Sequence, residues 1–232
     1  MAFVPGTFLK KDAGKPFNYR RMCYHVKIHH PAHQIAESID VALLDSAQFG
    51  PREQISGFQH PFLPIWHEPN GKGIIRTMSW GIWPSWSPQR DFRMQTLNAR
   101  IETVHEKPAF KEAWRHRGVL PVYGFYEWQW LDAKGKKKAS YLLEQENASL
   151  FFLAAILQSP HPRWPCFGFS LLTLPAEGCM KKIHNHGLRM PYILDFEGAK
   201  QWIQGKQPQA NPSLLTPKRV DKLAFPELSF NE

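Results

Sequence analysis

Three short stretches of the chain hold residue types that could do chemistry together. In G-F-Y-E-W-Q-W, residues 124–130, one carboxylate, Glu127, is set among aromatic rings. On a strand, Phe125, Glu127 and Gln129 share one face, and Tyr126, Trp128 and Trp130 the other. A carboxyl wedged among rings loses water, its pKa rises, and it can serve as a general acid or base. A partly exposed strand residue or a salt-bridge partner would carry the same letters. In L-N-A-R-I-E-T, residues 97–103, Asn98, Arg100 and Glu102 alternate, so an extended backbone points all three one way. The rigid donor fork of Arg suits a phosphate, although a solvated strand face reads the same. I-H-N-H-G-L-R-M-P, residues 183–191, puts His184 and His186 near Arg189. An imidazole shuttles protons near neutral pH.

The histidines also raise the question of a metal. His184 and His186 are two apart, and His25, His29, His30 and His33 form a second cluster. Neither has the Cys or carboxylate company of a zinc centre, so no metal and no cofactor is expected. The cysteines Cys23, Cys166 and Cys179 form no C-x-x-C and leave one unpaired in any disulfide scheme. A reducing compartment follows, with Cys166 and Cys179 as buried thiols. Cys23 directly follows an internal methionine in R-R-M-C-Y-H-V-K, residues 20–27.

The elements that must position these residues read mostly as strands. Runs at 119–130, 139–145, 150–157 and 166–174 are aromatic and β-branched, separated by D-A-K-G-K-K, E-N-A-S and a Pro-rich loop. Runs at 62–67 and 73–80 flank Asn70-Gly71, a hairpin signal. Residues 31–44 predict a helix, with Pro31 in the first turn and Ile35, Ile39 and Leu43 on one face. A short helix is expected at 108–117, with Phe110 and Trp114 one turn apart, and a last one from Asp195 through Trp202. After 205 the tail has little pattern. Twenty prolines argue against long helices. The expectation is an α+β single domain: a curved, mostly antiparallel, barrel-like sheet with a few short helices.

Composition narrows the partners. Lys and Arg number 29 against 20 Asp and Glu, a net charge of +9, which favours a polyanion. Nine Trp interleaved with the cations suit single-stranded nucleic acid, where bases stack on rings. No apolar run reaches the length of a membrane helix. The basic leader, residues 1–21, lacks an apolar stretch of signal-peptide length. A soluble, cytoplasmic monomer, nucleoid-associated when bound to DNA, is expected.

Taken together, W-G-I-W-P-S-W (80–86), N-A-R-I-E-T (98–103), G-V-L-P-V-Y-G-F-Y-E-W (118–128), T-L-P-A (173–176) and I-H…R-M-P (183–191) resemble the SOS-response-associated peptidase (SRAP) family. Members of that family start Met-Cys, matched here by Met22-Cys23, and the resemblance spans about 22–204. It implies single-stranded DNA binding and a covalent crosslink to abasic sites through an amino-terminal cysteine. By matching motif, Cys23 is the nucleophile, Glu127 and His184 are the acid/base pair, and Asn98 and Arg100 position the sugar-phosphate. Trp80, Trp83 and Trp86, with Arg189, Met190 and Pro191, are the remaining DNA-binding candidates.

The chemistry explains the requirement. A ring-opened abasic site is an aldehyde; an amine forms a Schiff base with it, and a thiol on the next carbon closes a thiazolidine. An α-amine titrates near 8, so about one in ten is neutral at pH 7, against fewer than about one in a thousand for Lys. The sequence departs from the family's pattern in three places. Tyr24-His25 follow the cysteine where Gly-Arg is frequent. The usual I-H-x-R-M-P is lengthened, which leaves His186 as a second acid/base candidate. The leader would acylate the amine, so residues 1–21 are expected to be absent from a working domain of 22–232. A thiol autopeptidase limited to self-processing, and a non-catalytic single-strand binder, are the alternatives.

Overall fold

The computed structural model describes residues 24–44, 49–88 and 90–220. Cys23 and the leader lie outside the described residues. From the first described residue, β1 (His25–Ile28) leads to α1 (Ala32–Ser38), β2 (Ala42–Leu43), β3 (Arg52–Ser56), β4 (Phe62–His67) and β5 (Ile74–Trp80). Then come β6 (Asn98–Arg100), β7 (Arg117–Val122), β8 (Gly124–Trp130), β9 (Lys138–Gln145), β10 (Phe151–Gln158) and β11 (Gly168–Pro175). The last described elements are α2 (Met180–Ile183), β12 (Arg189–Pro191), β13 (Ile193–Leu194), α3 (Phe196–Ile203) and β14 (Leu215–Val220).

The expected α+β domain is present as a mostly β fold with three short α-helices among the described residues. In the larger sheet β5, β4, β7, β10 and β11 follow one another through antiparallel pairs, and β11 returns to β5 in a parallel pair. That pairing closes the five strands into a ring. β10, F-F-L-A-A-I-L-Q, is buried at every position, as a strand covered on both faces must be. Trp66, Phe151, Phe152, Phe169 and Trp202 fill the interior.

The second sheet runs β14–β9–β8–β1–β3. The single run expected at 119–130 is two strands: β7 belongs to the ring and β8 to this sheet. The chain changes sheets at Tyr123, whose N–H donates to Lys27 O at 2.9 Å. One residue thus carries the Glu127 strand out of the barrel wall.

Three expectations are corrected. The helix predicted over 31–44 ends at Ser38, because Asp40 takes a left-handed φ of 54°. The Asp40 N–H donates to Glu37 O and the Val41 N–H to Ala36 O, a Schellman closure without its usual glycine. Leu43 then pairs with β5 instead of extending the helix. Residues 108–116 form turns, a bend and one 3₁₀ segment, Ala113–Arg115, rather than an α-helix, and Arg117 already begins β7. Phe110 still faces the core, and Trp114 stands edge-on to Trp202 at 6.0 Å. The described part of the tail also holds a strand that was not expected, since β14 pairs antiparallel with β9 from Ser140 to Gln145.

Candidate active site

Glu127 lies mid-strand in β8, 2 % exposed, between β9 on one side and the start of β1 on the other. Burial pushes its carboxyl up to about 8, against one favourable hydrogen bond from the Trp128 N–H at 3.2 Å. At neutral pH it is therefore mostly the carboxylic acid, able to donate a proton. Gln129, on the same face of β8, donates from Nε2 to Lys182 O at 3.2 Å, so that face lies under α2.

His184 caps the end of α2 and is fully buried. Its Nδ1 accepts the Arg189 backbone N–H at 3.0 Å. An acceptor at Nδ1 assigns the neutral ring's proton to Nε2, which leaves an N–H donor there. His186, the second histidine of the lengthened motif, stands edge-on to His184 with ring centroids 4.3 Å apart. Gly187 packs against the same ring: a Cβ there would come 2.5 Å from His184 Cε1.

Asn98 and Arg100 lie on β6, which pairs in parallel with β11, Asn98 opposite Leu171 and Arg100 opposite Thr173. Asn98 is buried and Arg100 exposed at the strand's end. The extended backbone stops at Arg100, so Glu102 is not the third member of one strand face. It sits in the following turn and holds Arg189 through both guanidinium nitrogens, Nη2 to Oε2 at 2.9 Å. Burial alone would raise the Glu102 carboxyl, but the Arg189 hydrogen bonds and charge outweigh it and hold it below the ordinary range. Arg189 Nη2 also donates to Thr173 O and Oγ1 at 2.6 and 3.1 Å.

Arg189 thus ties the turn after β6 to β11 and β12. Met190 is 2 % exposed and Pro191 is buried in β12, so neither offers a surface to a strand. Trp80 is wholly buried, with Nε1 donating to Leu97 O at 2.8 Å, so it can act on a strand only from beneath the surface. Trp83 is half-buried, its Nε1 donating to Ser87 O at 3.1 Å. Trp86 alone of the three is open, 53 % exposed and edge-on to Phe92.

Tyr24, to which Cys23 is peptide-bonded, accepts the Gly57 N–H at 2.7 Å just ahead of β1. His25, beside Tyr126 in the β1–β8 pairing, stands edge-on to Trp128 at 5.1 Å. Burial lowers its pKa to about 4, so it is neutral at pH 7. The described chain thus begins on the strand next to Glu127's. Two interactions escaped the sequence reading. Asn185 binds both the N–H and the C=O of Trp130, and His186 stacks on the Trp130 ring. Both residues belong to the lengthened I-H…R-M-P segment, and that lengthening was the signal that could have found them. Among the described residues no group of three or more His, Cys, Asp or Glu converges as a metal site, and no helix is long and apolar enough to cross a membrane.

The ring-closed β domain carries a buried acid, Glu127 on β8, and a buried imidazole, His184 at the end of α2, whose Nδ1 accepts a backbone N–H. The model for SOS response associated peptidase (SRAP) matches residues 22–230, and the chain belongs to that family. It is 32% identical over 157 residues to the abasic site processing protein YoaM of Bacillus subtilis, covering 66% of this chain and 67% of YoaM. To the abasic site processing protein YedK of Escherichia coli it is 30% identical over 127 residues, covering 54% and 53%. To the abasic site processing protein HMCES of Rattus norvegicus it is 25% identical over 187 residues, covering 67% and 52%. Among solved structures, a Bacteroides thetaiotaomicron protein superposes with a TM-score of 0.74 at 22% identity, over 86% of this chain and 92% of the other. That likeness concerns the fold.

Proposed function

We propose that this protein binds single-stranded DNA and joins covalently to abasic sites through the amine and thiol of Cys23. The relatives' names support abasic-site processing; the crosslinking step follows from the family resemblance and the chemistry of an amine and a thiol on adjacent carbons. The amine of a Cys23 freed of Met22 and the leader attacks the C1′ aldehyde and gives a carbinolamine. Loss of its hydroxyl as water leaves a Schiff base. The thiol sulfur then adds to the imine carbon, its proton passing to the ring nitrogen, and a thiazolidine results. One aldehyde and one aminothiol yield one ring and one water, with no redox change.

The observation that carries this reading is Glu127: a buried carboxyl held as the acid at neutral pH, on the strand beside β1. Dehydrating the carbinolamine needs such a donor. His184, with its proton on Nε2, is the second transfer group, and Asn98 and Arg100 hold the flanking sugar-phosphate. Intramolecular closure then gains from proximity. The test is to mix the protein, its leader removed, with an abasic oligonucleotide and run a denaturing gel. A resistant band is expected; it should vanish in Cys23→Ala and survive in Cys166→Ala and Cys179→Ala. An undiminished band in Cys23→Ala overturns the assignment.

A further inference from the structure

Trp130, the last residue of β8, is held from two segments. His186 stacks on its ring, centroids 4.5 Å and planes 7° apart. Gly135 packs closely against the same ring: a Cβ there would come 2.5 Å from Trp130 Cε2 and 2.6 Å from Cδ2. Its φ of +64° independently favours glycine. The Asn185 amide pairs with the Trp130 backbone at 3.0 and 2.9 Å, as a neighbouring strand would. Within the β8–β9 tip, Asp132 accepts the N–H groups of Lys134, Lys136 and Lys137. Hairpin tip and α2–β12 loop are therefore one interlocked ledge, ordered before anything binds.

The ledge's outer surface is cationic and apolar. Lys134, Lys136 and Lys137 on the tip and Lys181 and Lys182 on α2 are all exposed, and none enters a salt bridge among the described residues. Asp132, the tip's carboxylate, is turned inward on backbone N–H groups, which hold its pKa below the ordinary range. Two of the exposed large apolar side chains lie on the same two segments: Leu131 on the tip, at 55 %, and Leu188 on the α2–β12 loop, at 56 %. Leu188 keeps a left-handed φ of 49° while its N–H donates to His184 O at 2.9 Å. Through His186 the ledge abuts His184, so it borders the acid/base site.

We infer that this ledge is a second binding surface for single-stranded DNA, taking the strand that flanks the lesion. Its lysines lie along phosphates, and Leu131 and Leu188 lie under an unstacked base. The inference rests on the proposed function for what occupies the neighbouring site. Charge complementarity selects a polyanion, and a preordered loop loses little entropy on binding it.

The test compares Lys134→Gln/Lys136→Gln/Lys137→Gln with a control of equal charge loss, Lys72→Gln/Lys111→Gln/Lys206→Gln, spread over other exposed loops. Each binds a lesion-free oligonucleotide across a salt series, which separates binding from crosslinking. Every phosphate that is no longer neutralised should flatten the log–log slope by about 0.7, so the ledge variant should lose about 2 and the control far less. Equal slopes in parent and ledge variant, or equal losses in both variants, overturn the inference. So does a ledge variant that loses poly-glutamate binding but keeps DNA, since the surface would then dock an acidic protein. An abasic adduct in the parent alongside an unchanged ledge variant removes the ledge alone. A ledge-dependent slope without any adduct removes the crosslinking reading instead.

Discussion

Replacing Glu127 by Gln should make the protein more stable and less active at once. The side chain is 2 % exposed, and burial moves its carboxyl from 4.5 to about 8. Between those values the folded chain holds a proton that the unfolded chain has released. Stability contributed by the neutral acid is thus present below 4.5 and is lost as pH rises towards about 8. The gap corresponds to about 5 kcal/mol in full, and to roughly 3 kcal/mol at pH 7. His25 and His67, both lowered by burial from 6.5 to about 4, act with the opposite sign, adding stability as pH rises through 6.5. From pH 6.5 to 8 Glu127 should withdraw about 2 kcal/mol while the two histidines still add about 0.4 kcal/mol each, so the parent should lose about 1 kcal/mol net. Glu127→Gln, neutral and nearly isosteric, should keep only the histidines' shallow rise, so that its stability relative to the parent grows by about 2 kcal/mol across that window. It has no acidic proton to give, so its adduct rate should fall about 10²–10⁴-fold. Urea titrations at pH 6.5, 7.25 and 8, beside single-turnover adduct rates, read both effects. Parallel pH profiles in parent and variant, or an unchanged adduct rate, would refute the reasoning.

Four other outcomes are expected. Arg100→Ala should flatten the salt dependence of single-strand binding by about 0.7 with little effect on stability, whereas Arg189→Ala should lower stability by about 2 kcal/mol by stranding Glu102; binding isotherms and urea melts separate the two. Trp80→Ala should cost about 3–5 kcal/mol in unfolding free energy, while Trp86→Ala should melt like the parent and weaken single-strand binding by about 1–3 kcal/mol in a fluorescence titration. Gly135→Ala should destabilise by more than about 1 kcal/mol, since both its φ and the Trp130 ring oppose a Cβ, and tryptophan emission should shift as that ring is released. A chain that begins at Met1 and keeps its leader should give no adduct, whereas one that begins at Met22 and is trimmed to Cys23 should; intact mass verifies each start.

Much of the ring was legible because its strands carry their own punctuation. Asn70 and Gly71 take the left-handed φ values of 57° and 74° that their types favour, and Asp195 accepts the Gly198 N–H at 2.7 Å to start α3. The end of α1 was not legible, because Asp40 adopts a conformation that glycine usually signals. β14 was missed because an edge strand with four exposed positions shows little alternation. In the site, the face on which Glu127 lies followed from period two, but its near-complete burial depends on distant cover. The three tryptophans of 80–86 look alike as letters. They part because Trp80 ends β5 inside the core, whereas Trp86 lies six residues on in an exposed turn, past Gly81 at φ 106°. Arg189 read only as a DNA-binding candidate, since nothing local reveals that Glu102, 87 positions away, closes on it.

The central claim is that Cys23 supplies both an amine and a thiol to one aldehyde carbon. The direct measurement is the intact mass of the adduct between the protein beginning at Cys23 and an abasic oligonucleotide, taken without a reducing agent. The expected mass is that of protein plus DNA less one water, and acetylating the amine should abolish it. An adduct trapped only by borohydride, or one that persists with the amine blocked, would contradict the thiazolidine.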